Sequence, residues 1–595
     1  MRNSFILGIL CLVLVGQSAQ VSSADSQGKH NKRPVNKTFE TLMEDHWAAN
    51  LAANPTFATS LGVRDYDDKL SDPSLESYDR AVAAARGFLK RLNSINQDDL
   101  SSAHKINYLL LKLELENQIE ASKFGGKYFI MNNRSGPHLS LTSMVGRLPF
   151  FKESDYVSYL ARLAAMPQYM ERATSRIRSG LAAGWVQACE PMQGYQKSVE
   201  VHLVSDLNHS VFLDPFKSKP AIIQTAKFDE MKAKAERIVG SDVLPAFQSF
   251  KEFYETEYSP KCRKNVGVDS LPGGQDYYGH RVKVFTTTDR SADDVHSTGL
   301  SEVARIKAQM LEVIKEAEFK GSFEEWLIYL RDNPELYPKT AEQRMQVTAA
   351  ITKKMDGELP KLFGKLPRMP YGLKEIPLDI AEKTTTAYYQ RPAGDGSRAG
   401  FYFVNTTLLD TRPLYQLEAL ALHEAVPGHH LQIALAQELD IPNFRRYGGF
   451  TVFTEGWGLY AERLGLEVGF YQTPYTNFGR LSYEMWRACR LVVDTGIHSK
   501  GWTRQQAIDY MAENSGLSMN NITAEIDRYI SWPGQALAYK TGEMKFRELR
   551  AKAEQALGNQ FDVRAFHDKV LENGALPLFV LEQIVNEWIE TEKRG

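Results

Sequence analysis

At 595 residues, with 43% hydrophobic and 24% charged residues, the chain has the composition of an ordinary folded protein. That length allows one large two-lobed body or roughly two to four subdomains sharing a core. A formal charge of −2 with no basic stripe or reader motif excludes nucleic acid as an expected partner, and no stretch reaches the ~20 uninterrupted apolar residues of a membrane span.

The chain opens with Arg2, an apolar run from Phe5 to Val15, and the small residues Val21-Ser22-Ser23-Ala24. This layout predicts a secretory signal over residues 1–24, cut after Ala24, with an uncleaved anchor as the alternative. Cys11 lacks the small residue expected before a lipidated cysteine, so no lipoprotein is predicted. The expected location is secreted, periplasmic or in the lumen of the secretory pathway, with no stable membrane insertion after cleavage. Cys189, Cys262 and Cys489 then remain, an odd set that allows at most one disulfide and matches no zinc knuckle or redox pair. Asn36, Asn133, Asn208, Asn405 and Asn521 each begin an Asn-x-Ser/Thr sequence, which matters only in a eukaryotic host.

Residues 25–37, with Gln27, Gly28, Lys29 and Lys32, read as a loose polar leader. From Thr38 to about Phe363 the pattern is helical: Ala85 to Leu92, Tyr108 to Ile119 and Ile306 to Ala317 repeat apolar residues at three- and four-residue steps. This predicts a helical N-terminal lobe over 38–365, punctuated by Pro149, Pro191, Pro272, Pro334 and Pro338. Between Leu366 and Asn405 the texture turns to Pro, Gly, Thr and aromatic residues. Thr384–Tyr389 and Phe401–Val404 read there as strands of a small sheet. From Pro413 the chain is helical again, with a helix start near Thr411 and Pro413. Residues 366–595 form the second region, which carries the chemistry.

That helix contains His423-Glu424-Ala425-Val426-Pro427-Gly428-His429-His430, and Glu455 follows in Thr454-Glu455-Gly456-Trp457. Zinc prefers nitrogen and carboxylate oxygen ligands, and a catalytic site keeps three protein ligands and one open position for water. Two histidines and Glu455 fill that quota and leave Glu424 as general base. The histidines are not spaced for an unbroken helix: a residue six along is rotated by about 240°, and one seven along lies ~10.5 Å up the axis. Pro427 and Gly428 sit between them, so a kinked turn brings either His429 or His430 back to the metal. Gly456 and Gly458 would let the Glu455 helix approach the first one closely.

These residues resemble the domain-of-unknown-function 885 family, which is similar to the gluzincin group of zinc peptidases. The family run His-Glu-x-x-Pro-Gly-His-x-x-Gln is matched by His423, Glu424, Pro427, Gly428, His429 and Gln432. Glu-Gly-Trp-x-x-Tyr-x-Glu is matched by Glu455, Gly456, Trp457, Tyr460 and Glu462. Asp395-Gly396-Ser397-Arg398-Ala399-Gly400 resembles a further family segment, with Ala399 where proline is usual. The segments Arg487 to His498 and Trp532 to Lys540 also look like family signatures, and the similarity runs from about residue 38 to the C-terminus. A glycine before the second histidine also resembles the thimet oligopeptidase-like and carboxypeptidase Taq-like enzymes, which favours His429 over His430 as ligand.

The resemblance implies a mainly α, gluzincin-like fold: a large two-lobed helical body with a deep cleft and a small sheet beside the metal helix. It implies one zinc ion per chain held by His423, His429 and Glu455, a peptide substrate, and a strand that pairs with the extended peptide, for which Phe401–Val404 is the candidate. Tyr539 is the expected oxyanion donor and Tyr529 the reserve, with a core tyrosine as the alternative for either. His430 reads equally as substitute ligand, substrate contact or core histidine. Glu462, two turns after Glu455, reads as an acceptor for a ligand imidazole or as a surface salt bridge. Arg487, Arg490, Asp494 and His498 share one helical face, by default an exposed polar one, and the family likeness suggests a network supporting the site. Arg398 and Lys540 are candidate partners for a substrate carboxylate, which tilts the expectation toward an exopeptidase, a carboxypeptidase or dipeptidase. The competing expectations are a metal-free peptide-binding protein and a zinc hydrolase of non-peptide amides.

Overall fold

The structure, a computed structural model, describes residues 24–381 and 385–594. Residues 1–23 of the expected signal segment, Cys11 among them, and Thr384 lie outside the described residues. Helices dominate, and one three-stranded sheet interrupts them. No helix among the described residues is long and apolar enough to cross a membrane.

The first helix spans Ala24–Ala53. Residues 25–37, expected as a loose leader, therefore continue a helix. Phe39, Leu42 and Met43 anchor it in the core, and the polar residues ahead of them extend its hydrogen-bond ladder. The periodic stretches read from the sequence fall on the helices Leu75–Asn93, Ser102–Ala121 and Ala292–Glu316.

The two largest apolar cores among the described residues do not divide at residue 365. The larger core joins Phe39, Leu111, Ile306 and Met355 to Leu420, Trp457, Val492 and Leu581. Residues from both sides of the expected boundary thus fill one interior, with the helices Ala292–Glu316 and Pro474–Ser499 packed along each other. The texture change near residue 366 marks the sheet, not a division of the core. The buried residues of a second core all fall within residues 131–258, including Tyr159, Met166, Phe212 and Phe247, with Leu70 packed against them. Cys189 and Cys262 form a disulfide at the edge of that unit, where Ala188 and Arg263 also make a β-bridge. Cys489 is a buried free thiol.

The sheet comprises β1 (Tyr371–Glu375), β2 (Ala387–Gln390) and β3 (Gly400–Val404), in the order β1-β3-β2. β3 runs parallel to β1 and antiparallel to β2. Strand β3, the expected partner of an extended peptide, is the central strand, so both of its edges are already paired. β2 is the edge strand. Thr386 C=O accepts the Asn405 N–H at 3.1 Å. By antiparallel alternation Ala387 and Tyr389 therefore turn their main-chain groups to the free edge. β1 escapes a reading by alternation because Gly372 and the charged pair Lys374-Glu375 break the pattern.

Candidate metal centre

The helix carrying His423 starts at Leu417, later than the sequence suggests, and stops at Glu424. Short 3₁₀ turns at Leu409–Thr411 and Leu414–Gln416 occupy the expected start. A four-residue linker follows, with a cis bond between Val426 and Pro427, before a new helix begins at His429. A Cβ on Gly428 would lie 2.0 Å from the His423 carbonyl oxygen, so only glycine passes there. Trp457 pins the linker by donating its indole N–H to the Pro427 carbonyl at 2.8 Å. The break redirects the second helix and sets the His423 and His429 rings 4.6 Å apart and nearly perpendicular.

Glu455 arrives from the helix Thr451–Leu464. Its Oε2 lies 3.7 Å from His423 Nε2 and 3.4 Å from His429 Nε2, and the three ligand atoms are all within 4.8 Å of one another. An ion at ~2.0–2.2 Å from each of three tetrahedral ligands needs them roughly 3.3–3.5 Å apart, and the two carboxylate–imidazole separations lie close to that range. Gly458 makes the approach possible: a Cβ there would sit 2.7 Å from His423 Cε1. Gly456, expected to serve the same contact, instead faces Gly542 of the helix Ala538–Leu557, where a Cβ would lie 2.5 Å from the Gly542 Cα.

The electrostatics favour a cation between these groups. Burial pushes the Glu455 carboxyl up, but its bonds to His423 and His429 outweigh that and hold it well below the usual range. Burial likewise lowers His423, yet Glu455 and Glu462 raise it to about 9. A proton on His423 Nε2 thus stands toward Glu455, where a metal ion would satisfy the same carboxylate. His423 Nδ1–H donates to Glu462 Oε1 at 2.8 Å, which leaves Nε2 for a ligand bond. Arg487 Nη2 lies 3.3 Å from the same Glu462 oxygen.

The cluster lines a cavity of about 640 Å³, together with Glu424, Tyr539, Trp486 and residues 385–389 along β2. Glu424 directly follows His423 and is half-buried. The Tyr539 ring lies 6.3 Å from the His423 ring and nearly parallel to it. Burial and the nearby Glu455 charge push its phenol up, so it remains a proton donor at neutral pH.

Other expected site residues face elsewhere. His430 is buried, with Nδ1 2.8 Å from the Tyr389 hydroxyl and Nε2 2.9 Å from the Met369 carbonyl, and burial lowers it to about 4. Both nitrogens are engaged, so it braces the sheet, and it belongs neither to the His423, His429 and Glu455 group nor to the lining of the cavity. Lys540 is wholly buried among Glu484, Glu543 and Glu302 at 2.8, 2.8 and 3.0 Å, which leaves it no ammonium proton for a ligand. Arg398 is half-buried outside the cavity, donating to the Ala399 carbonyl at 3.2 Å. Tyr529 is buried behind the cavity wall, donating to Glu525 at 2.7 Å and accepting from Arg490 and Trp486.

The helical face of Arg487, Arg490, Asp494 and His498 is not exposed. The helix Pro474–Ser499 is buried nearly all round from Phe478 onward. Asp494 accepts from the Tyr278 hydroxyl at 2.6 Å and the Gly534 N–H at 3.1 Å. His498 lies between the Val268 N–H and the Tyr529 carbonyl. These two tie the helix to its neighbours, whereas Arg487 and Arg490 reach the cavity. Sequence reasoning missed Arg134, which lines the cavity from the loop 132–135 beside Arg528, Gln535 and Trp486. Its one legible signal was the polar run Asn132-Asn133-Arg134-Ser135-Gly136 between apolar helices, read only for its sequon.

Fold and site together define a mainly helical protein whose three-stranded sheet borders a cavity with a His-His-Glu cluster on its wall. The chain belongs to the family described as bacterial protein of unknown function (DUF885), which matches residues 55–585. It is similar to the crystal structure of a "putative lipoprotein" from Colwellia psychrerythraea, with 28% identity and a TM-score of 0.87 over 94% of this chain and 99% of that one. A protein of unknown function from Shewanella oneidensis, also described as a lipoprotein of that kind, shares the fold at 18% identity and a TM-score of 0.69, over 92% of this chain and 99% of that one. No curated protein matches.

Proposed function

We propose that this protein is a zinc-dependent hydrolase of peptides, acting as an exopeptidase. The observation that carries the reading is the convergence of His423 Nε2, His429 Nε2 and Glu455 Oε2 within 4.8 Å on the wall of a cavity that also holds Glu424. Zinc bound by these three residues would supply Lewis acidity toward a water and the substrate carbonyl. Glu424 takes the proton of the attacking water and returns it to the leaving amine. Tyr539 donates a hydrogen bond to the oxyanion as the carbonyl becomes tetrahedral. Glu462 keeps the His423 ring oriented for its role. The free edge of β2 offers the Ala387 and Tyr389 main chain to an extended peptide, and both residues line the cavity. The gluzincin-like character of the site rests on this ligand order and on the Glu424 position. The N-terminal signal pattern and the description of the Colwellia relative support a location outside the cytoplasm.

The test is elemental analysis of the chain lacking residues 1–24, alongside peptide hydrolysis before and after chelation. About one zinc per chain is expected, lost in His429→Ala and kept in His430→Ala, with turnover abolished by chelator and restored by zinc. A protein that binds no zinc when it is supplied overturns the reading.

A further inference from the structure

We propose that the cavity contains a carboxylate subsite, formed by Arg490 and Arg134, that receives the free C-terminal carboxylate of a peptide. This rests on the peptide-hydrolase reading and specifies which end is cut.

Charge balance is the first support. Glu525 is a single carboxylate facing three guanidinium groups: Arg528 at 2.9 Å, Arg490 at 3.0 Å and Arg134 at 3.8 Å. Its Oε2 also accepts the Tyr529 hydroxyl at 2.7 Å. The Glu525 cluster therefore carries a local surplus of two positive charges, while Glu424 and Glu455 line the same cavity beside His423 and His429, and such a local surplus attracts an anion.

Donor accounting shows which arginines are free. Arg528 spends its donors on Glu525 and on Gln535 at 2.6 Å. Arg490 is 3% exposed, and its guanidinium carbon lies 4.5 Å from the centre of the Trp486 ring and 4.1 Å from that of Tyr539, yet its Nη1 has no hydrogen-bond partner. A buried guanidinium donor left unpaired is costly, and a planar carboxylate matches its geometry. The Ser531 hydroxyl, which can donate, is also buried without a partner, and Ser531 lines the same cavity. Arg134 keeps 32% of its side chain exposed, and among the described residues its ion pair is a long one, 3.8 Å to Glu525.

Position supplies the rest. The Tyr539 ring is shared by the contacts to His423 and Arg490, so the Arg490 guanidinium lies at most about 10 Å from the His423 ring. An extended peptide advances ~3.3–3.6 Å per residue, so a terminal carboxylate held there leaves one or two residues beyond the cut. The subsite thus replaces Arg398 and Lys540, which face elsewhere, as the partner of the substrate's acid.

The experiment uses the zinc-loaded protein and a mixed-sequence hexapeptide library prepared with free-acid and with amidated C-termini, with products read by mass spectrometry. Loss of one or two C-terminal residues is expected, at least ~10-fold faster from the free acids, the equivalent of one charge-assisted bond. Arg134→Gln, on a loop, is expected to collapse the acid-to-amide ratio below ~3-fold, and Arg490→Lys to reduce it while keeping a charge in the buried position. Equal cleavage of both libraries overturns the subsite and leaves the hydrolase reading standing. Preferential cleavage of amidated peptides ending in Asp or Glu assigns the arginines to a side-chain carboxylate and overturns the terminal assignment. Cleavage of neither library sinks both readings.

Discussion

His423 and Glu462 are 39 residues apart in sequence, on two different helices, and meet through a 2.8 Å hydrogen bond in which the imidazole Nδ1–H donates to the carboxylate. The bond selects the tautomer that leaves Nε2 facing Glu455. Glu462→Ala is expected to weaken zinc binding about 10- to 100-fold while the fold persists. Competition titration against a chromophoric chelator measures it, and unchanged affinity would remove Glu462 from the site.

Gly456 and Gly458 are two residues apart and serve different contacts. Gly458→Ala places a Cβ 2.7 Å from the His423 ring, whereas Gly456→Ala drives one into the Gly542 backbone at 2.5 Å. The first is expected to cost metal affinity with little loss of stability. The second is expected to cost about 1–3 kcal/mol of stability, because two helix backbones must separate. Urea denaturation and zinc titration on both variants separate the effects, and the same profile for both contradicts the distinction.

Asp494 gives the stability a pH dependence of known sign. Burial raises its carboxyl from 3.8 to about 7 against the lowering bonds from Tyr278 and Gly534. Below its unfolded value both states hold the proton. As pH rises from there toward 7 the unfolded chain releases the proton first, so the folded state loses stability, and the loss is complete above 7. Asp494→Asn removes this term. Relative to the unmutated protein, the variant should gain up to about 4 kcal/mol between pH 4 and pH 8. Parallel denaturation at the two pH values reads the difference, and a gap that stays constant refutes it.

The Cys189–Cys262 disulfide closes a loop across 73 residues at the edge of the second core. On the chain-entropy account, removing such a link costs about 4 kcal/mol. The double variant Cys189→Ser, Cys262→Ser is therefore expected to melt earlier, with the loss concentrated in residues 131–258. Hydrogen exchange by mass spectrometry localises it, and a loss spread evenly over the larger core would show that the two cores unfold together.

What the sequence alone determined was local chemistry. The order His423, Glu424, His429, Glu455 named residues that the fold brings to one cavity, because residue types and a helix-breaking Pro427-Gly428 pair are written in the chain itself. Glu462 was legible for the same reason, being two turns from Glu455 on one helix. The tertiary structure alone decided which charges face the cavity. Lys540 and Arg134 carry the same formal charge, yet three carboxylates from two other helices and its own enclose the first, and a loop some 350 residues from Arg490 brings the second to the cavity wall. β3 became the central strand only because β1 paired with it, a contact no alternation pattern foretold. Side-chain identity and helix period are properties of neighbouring residues. Burial, strand order and charge compensation depend on which distant segments exclude water from one another, and folding settles that for the chain as a whole.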